Sequence, residues 1–475
     1  MSVSVSKHPR ILVVALAIAS IMTTINVTAF TILLPNYMNE FHTDLLTVQW
    51  LSTGYTVAQC MAVLVIGYLA DKYSARNVYL AGVIVFALSS FISCFTPNIY
   101  ALIVMRMLCG AAGGLVSAAG PTIIYQSFAE NKQLQTMSYF TMAGGLGVAF
   151  GPAVGGFLEG MIGWRCVYVF NVVSALIIIL PLWQHIPRVV QEVKYKLDVL
   201  SFLIGASGTF LLLYSLSYGG EWGWFSYKTL GLLFLGIACL AAFICIEWKS
   251  DHPILNVHIL SNKYFRHGAL MYGVAAIALV LSPYVMSFYF QRVWGYSALQ
   301  AGEAIILPSL AMAIASPISG RIAYRVPSRP IVVVSYAALI FITYKLGQLT
   351  PESTLLYIMV WLMLRYVVIG VTDPLIANCA FSLVPQEMMS HASSMNAWIR
   401  YMCNALALAV FTGIMNNKLV EYTALGQSAE SAMCNALNDL TIYSMWVVVL
   451  CIPIALMLKD KLSLDREKTA AGRKR

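Results

Sequence analysis

The sequence predicts an all-α integral membrane protein of fourteen spans, and three observations carry that prediction. Of 475 residues, 60% are hydrophobic and 10% charged, and the mean hydropathy is +0.77; a soluble chain carries about 25% charged residues. Fourteen stretches approach the roughly 20 mostly apolar residues that a membrane crossing requires. Lysine and arginine are unevenly divided between alternate connectors, which is the signal that fixes membrane topology.

The spans run in order. The first, 11–34, follows Lys7 and Arg10; it is too long for a signal-peptide core, no small-residue cleavage site follows it, and it reads as a retained span. Next come 48–70, 78–97 and 100–122, with a short basic turn between the first two. The fifth, 138–160, contains "GGLGVAFGPAVGGFLEG", with seven glycines and a proline in residues 144–160. Gly147, Gly151 and Gly155 recur every four residues and so share one helix face. Without Cβ atoms there, a second helix can approach closely; Pro152 removes one backbone hydrogen bond and permits a bend, and Gly156 extends the run. The sixth span is 164–183. Two central spans, 198–217 and 227–247, follow, the first opened by Asp198 as a helix cap. The last six are 267–290, 300–321, 329–349, 354–383, 396–415 and 439–458. The connectors are short, and none has the size of a soluble domain.

With the N-terminus placed in the cytoplasm, 21 of the 29 basic residues fall on the inner side, four on the outer side and four (Arg106, Lys345, Arg365, Arg400) within spans. The asymmetry supports an even number of spans with both ends cytoplasmic. It also accounts for the net charge of +9 as a topological signal matched to anionic lipid headgroups, so nucleic acid is not an expected partner. Ten cysteines are scattered singly with no C-x-x-C pair, which suggests neither a disulfide framework nor a metal site; Cys434 reads as a free thiol in a polar loop. "GYLADKYSARNVYLAG" (67–82) and "SGRIAYRVPSRPIVVVS" (319–335) form a weak internal repeat of the kind found in two-halved transporters.

Several segments carry a family resemblance. "GVAFGPAVGG" resembles the antiporter signature G-x-x-x-G-P-x-x-G-G of the major facilitator superfamily, "GYLADKYSAR" its loop after the second span, "LIVMRMLCG" its fourth-span element, "GWRCVYVFNV" the opening of its sixth span, and "FQRVWGYSALQAGEAIILP" the link into its tenth. Fourteen spans resemble its drug:proton antiporter branch. The resemblance implies two six-helix bundles (1–190 and 263–460), two additional central spans (191–262) and a basic cytoplasmic tail (461–475). It further implies that the glycine-proline helix seals the interface of the two halves against the tenth span, where "LAMAIASPISG" (310–320) is likewise small and proline-bent.

The resemblance gives Asp71, with Lys72 and Arg76, the role of a cytoplasmic gate in which the carboxylate is held by basic groups and a helix terminus. Ser74 stands where the family has glycine, and Tyr324 replaces the acid in the second copy. Arg106 matches the family's fourth-span arginine, which faces the cavity and helps couple protons. The first span departs from the pattern: "INVTAFTILLP" (25–35) carries Asn26 at the usual acid position, and an amide cannot titrate. Buried charges in spans are functional candidates by default. Asp373 in "VIGVTDPLIANC" is the candidate replacement carboxylate, with three readings open: a coupling or substrate role, one half of a structural ion pair, or a position at the lip of the span. It stands eight residues from Arg365, about 80° around the helix and two turns along it, so Arg400 on the next span is the expected partner. Glu303 is a further carboxylate to test, read chiefly as interfacial, and Glu159 reads as a helix-end acid. The aromatics Tyr284, Phe288, Tyr289, Phe290, Trp361, Tyr366, Trp398 and Tyr401 either line an apolar cavity or pack helices.

No G-x-x-x-x-G-K-[ST] sequence is present, so the energy source is expected to be an ion gradient. The expected protein is a monomeric secondary transporter of the plasma (inner) membrane, not an enzyme, with no cofactor or metal. It exports amphiphilic compounds in exchange for protons. Two alternatives stand beside this: a transporter of one metabolite not driven by protons, and a non-transporting sensor on a transporter scaffold.

Overall fold

A computed structural model describes residues 8–43, 45–187, 197–323 and 325–463. Tyr324, most of the tail and the basic residues Lys7, Arg188, Lys194 and Lys196 lie outside the described residues, as do the side chains of Pro152 and Glu159 and the surroundings of Gly156. Every long element is a helix: α1 (Pro9–Phe41), α2 (Leu45–Tyr73), α3 (Ala75–Cys94), α4 (Ile99–Ser127), α5 (Glu130–Ile162), α6 (Cys166–His185), α7 (Val199–Trp222), α8 (Tyr227–Lys249), α9 (Lys263–Phe288), α10 (Ala298–Ile322), α11 (Ser328–Leu346), α12 (Leu355–Phe381), α13 (Met389–Ala424) and α14 (Ala429–Met457). Thirteen are long and apolar enough, on the described residues, to cross a membrane; the remaining one, α5, is 33 residues long.

Each predicted span corresponds to one helix. The differences lie at the ends, because an apolar window marks only the part of a helix suited to lipid, whereas backbone hydrogen bonding continues to the next cap. Thus α13 and α14 begin seven and ten residues before their apolar windows, and Ser74 starts α3 early by accepting from Asn77 N–H. Cys434 is consequently not in a loop. It is buried in α14, its thiol 3.2 Å from the Leu349 carbonyl, since Ser428 caps α14 well upstream. Asp198 does cap α7, accepting from Ser201 N–H at 3.1 Å.

The chain divides into two compact units. The first comprises 1–261 and 385–401, the second 262–384 and 402–475; α13 therefore gives its opening turns to the first unit and its remainder to the second. In the first unit α1 packs on α5 and α6, α2 on α4, and α3 on α4 and α6, while α7 packs on α2 and α8. In the second unit α10 packs on α12, α11 on α12 and α14, and α9 on α12 and α14. The pairings α2–α4, α3–α4, α3–α6 and α1–α6 thus recur as α10–α12, α11–α12, α11–α14 and α9–α14, which makes α4 and α12 equivalent members of a structural repeat. The first core gathers Phe30, Tyr37, Leu51, Trp164 and Tyr168; the second gathers Tyr289, Phe290, Leu362, Tyr366 and Leu437. Large apolar side chains such as Leu88, Phe91, Leu176, Leu180, Phe234 and Val334 remain exposed, as on a surface solvated by lipid rather than water.

Candidate functional site

Arg106 lies on α4, only 1% exposed. Its Nε donates to the Leu51 carbonyl at 3.0 Å, Nη2 to the Asn26 carbonyl at 3.1 Å, and Nη1 to Asn26 Oδ1. The guanidinium is 3.7 Å from the Phe30 ring centroid and 4.6 Å from that of Tyr55. Three oxygen acceptors and two aromatic faces replace the water that the cation has lost. Among the described residues no ion pair includes Arg106. Asn26 is fully buried and its Nδ2 has no partner: the amide fills the place of a carboxylate, uses its oxygen on Arg106, and leaves its donor idle.

At the α2–α3 corner Asp71 is nearly buried. Its Oδ2 lies 3.0 Å from Nε2 of His391, and its Oδ1 accepts from the Ser390 hydroxyl. Both partners stand in the first turn of α13, where the unpaired N–H groups and the helix dipole also favour an anion. His391 Nδ1 accepts from Asn256 N–H at 3.1 Å, which places the ring proton on Nε2, directed at Asp71. Asn256 lies in the segment joining α8 to α9, and that segment is tied back to α8 by Leu255 N–H donating to Glu247 Oε2 at 3.0 Å. Only glycine fits at position 67, because a Cβ there would run into the His391 ring. The two basic residues of the corner turn elsewhere: Lys72 donates to Tyr68 Oη at 2.8 Å, and Arg76 donates to the Trp183 carbonyl and covers that ring at 5.0 Å. Ser74 holds φ at +74°, a conformation glycine adopts at lower cost, and its side chain caps α3. His391 was missed by the sequence reading, since a histidine more than 300 residues from Asp71 has no local signal.

The glycine face of α5 meets α1. A Cβ on Gly147 would stand 2.7 Å from Thr24 Cβ, one on Gly151 would strike Thr28 Oγ1, and one on Gly155 would stand 2.8 Å from Ala29 Cβ. This corrects the expectation that the tenth span fills the face. The physical reason lies in α1, which offers the small residues Thr24, Thr28 and Ala29 at matching four- and five-residue spacing, with Thr28 Oγ1 donating across the seam to the Gly147 carbonyl at 3.3 Å.

In the second unit Arg365 on α12 is 2% exposed; Nη1 donates to Thr343 Oγ1 at 2.6 Å and Nη2 to the Ala278 carbonyl at 2.8 Å. Its Nε, also buried, has no partner. Asp373, half-buried two turns further along α12, lines the same small cavity as Arg365, Tyr336 and Thr372. Arg400 belongs to the first unit, 5.7 Å from the Tyr401 ring, whereas Asp373 belongs to the second. Glu303 is exposed on α10. Tyr289, Phe290 and Tyr366 are core residues of the second unit, with Tyr284, Phe288 and Trp361 packed against them. In the first unit Tyr401 donates to Ser117 Oγ at 2.8 Å and accepts from Gln59 Nε2 at 3.1 Å, and Trp398 donates to Thr209 Oγ1 at 3.4 Å. A second unanticipated residue is Asp460, which accepts from Ser328 N–H at 2.8 Å and from its hydroxyl at 2.6 Å at the start of α11.

Fourteen long helices, thirteen of them apolar enough on the described residues to cross a membrane, in two units that repeat one packing pattern, each unit holding a buried arginine, define a polytopic membrane transporter. The chain belongs to the Major Facilitator Superfamily, whose family model matches residues 16–410. It is 23% identical over 420 residues to the multidrug export protein EmrB of Haemophilus influenzae, covering 87% of this chain and 82% of that one. To the tetracenomycin C resistance and export protein of Streptomyces glaucescens it is 24% identical over 414 residues (85% and 76%). To the riboflavin transporter RibZ of Clostridioides difficile it is 23% identical over 456 residues (95% and 97%). Among solved structures, the human organic anion transporter MFSD10 superposes with a TM-score of 0.66 at 14% identity, covering 92% of this chain and 99% of that one. The proton:xylose symporter XylE gives 0.64 at 11% identity, covering 95% and 97%. These are transporters, not enzymes.

Proposed function

We propose that the protein is a proton-coupled exporter of amphiphilic, positively charged compounds, working as a monomer by alternating access in a bacterial-type plasma membrane, with both termini cytoplasmic. The observation that carries the reading is Asp373, a carboxylate half-buried deep in α12 and lining a cavity with Arg365. A titratable group held there serves both to bind a cation and to exchange it for a proton. The export names of two relatives support the direction of transport, and the basic-residue asymmetry supports the topology. With that topology, the Asp71–His391–Ser390 cluster is a latch at the cytoplasmic end. The test is ethidium movement in proteoliposomes under an imposed pH gradient. Uphill accumulation that collapses when the gradient is dissipated is expected, and Asp373→Asn abolishes it; gradient-insensitive flux would refute proton coupling.

One observation favours a second reading, a transporter of a single metabolite without proton drive: Asn26, the residue at the family's first-span acid position, is an amide locked onto Arg106. Saturable flux of one compound, unaffected by collapse of the pH gradient, distinguishes that reading from the first.

A further inference from the structure

The ring of His391 is bonded at both nitrogens, and its two partners belong to different parts of the first unit. Nε2 lies 3.0 Å from Asp71 Oδ2 at the end of α2. Nδ1 accepts from the Asn256 N–H at 3.1 Å, in the segment joining α8 to α9. The neighbouring Leu255 N–H donates to Glu247 Oε2 on α8 at 3.0 Å, and Glu247 Oε1 accepts from the Ser201 hydroxyl on α7. A continuous series of hydrogen bonds, interrupted by one residue of backbone, therefore runs from the α2–α3 corner through His391 to both central helices. All of it lies within the first unit.

The series has little slack. Ile254, Leu255 and Val257 are buried, as is Glu247, so the joining segment is packed rather than draped over the surface. A Cβ at position 67 would strike Nδ1 of His391, so the ring is seated directly against α2. The weak point is chemical. Nδ1 accepts a hydrogen bond only while it carries no proton, and a protonated imidazole donates from both nitrogens. Histidine is the side chain that ordinarily titrates within the cellular pH range. A proton on Nδ1 would set two donors face to face and break the bond to Asn256. The Nε2–H bond to Asp71 would become charge-assisted at both ends and so stronger. On the elements packed against the ring, the charged or titratable groups are Asp71 and Lys72 on α2 and Asp251, His252 and His258 in the joining segment, with Glu387 one turn before it. Lys72 is turned onto Tyr68, and the last four are exposed, where salt screens their charge.

We propose that His391 is a proton switch between the α2–α3 corner and the two central helices. Neutral, the ring ties both together; protonated, it stays with Asp71 and releases the α8–α9 segment. The only covalent change is an N–H bond formed at Nδ1 with a proton from solvent and broken again when that proton leaves. The central helices α7 and α8 thereby act as a brace on the corner, engaged at neutral pH and disengaged in acid, with Glu247 as the positioning residue that fastens the brace to the segment. The inference rests on the proposed topology only for which compartment's pH is sensed. A protein whose ring behaves as stated but whose termini label from outside keeps the switch and loses the sidedness.

The experiment is hydrogen exchange of the purified full-length protein at single-residue resolution, at about pH 7.5 and about pH 5.5, on either side of the ordinary imidazole range, with each rate corrected for the intrinsic effect of pH. In acid the Asn256 N–H is expected to lose about two- to tenfold of its protection relative to the Leu255 N–H, the size of one neutral hydrogen bond. His391→Gln, which cannot titrate, removes that pH dependence. Glu247→Gln tests the brace: exchange in the opening turns of α13 accelerates at about pH 7.5 and is unchanged at about pH 5.5, where the link is already broken. A merely structural role for Glu247 accelerates it at both. Nitrogen NMR of the wild-type protein carrying labelled histidine needs no variant to fold, and is expected to show a ring with a bare Nδ1 at neutral pH that gains a second proton in acid. Equal protection of Asn256 at the two pH values, a pH response that persists in His391→Gln, or a Glu247→Gln effect of the same size at both overturns the proposal.

Discussion

Replacing Gly155 by alanine sets two helices against each other at a point where neither can yield. The added Cβ would lie 2.8 Å from Ala29 Cβ, 3.2 Å from its Cα and 3.3 Å from its carbonyl oxygen. Carbon atoms rest at about 3.5–4.0 Å, so α1 and α5 must part locally by roughly 0.7–1 Å. A gap of that size forfeits about a quarter to a half of each contact's attraction along the seam, and overpacking of this kind costs about 1–3 kcal/mol. Ala29 is already the smallest chiral side chain and two of the three atoms are backbone, so no rotamer change relieves the clash. Gly144, on the same helix, is the control. Its Cβ would meet Ser20 Oγ at 3.4 Å and Thr24 Oγ1 at 4.0 Å, ordinary contacts, and exchanging a helix-interior glycine for alanine stabilises by about 0.5–1 kcal/mol. The two substitutions are therefore expected to have opposite signs. Thermal unfolding of the purified variants in detergent reads the difference. If Gly155→Ala melts with or above Gly144→Ala, the close approach of α1 and α5 is not what stabilises this unit.

Three further outcomes are expected. Asn26→Asp replaces the unpartnered amide donor with a second acceptor beside Arg106; since charge-assisted bonds are roughly twice as strong as neutral ones, the melting temperature rises, whereas Asn26→Leu, which strips the arginine of its side-chain acceptor, costs about 1–3 kcal/mol; the reverse order in a melting experiment refutes the pairing. His391→Ala leaves Asp71 with Ser390 alone and orphans Asn256 N–H; hydrogen exchange in the first turns of α13 accelerates, with His391→Gln intermediate, and unchanged protection there shows that the histidine is no latch. Asp460→Ala removes the cap of α11 at a cost of about 0.5–2 kcal/mol, seen as faster exchange confined to residues after Ser328.

The sequence by itself determined which segments are helices in lipid, because a membrane tolerates only backbone that satisfies its own hydrogen bonds, and that constraint writes apolar stretches of recognisable length. The four-residue glycine spacing likewise showed that α5 has a face for close packing, since periodicity is local. Asn26 in place of an acid was also legible, being a matter of residue type alone. Partner choice was not legible. That the glycine face meets Thr24, Thr28 and Ala29, and that Asp71 answers to His391 rather than to Lys72 or Arg76, are consequences of three-dimensional packing between helices far apart in the chain. A carboxylate and an imidazole separated by more than 300 residues leave no periodicity and no motif; only the folding of α13 against the α2–α3 corner brings them within 3.0 Å. Composition and spacing act along one helix, whereas the pairing of buried charges is decided by which helices share a boundary, and that is set by the tertiary structure.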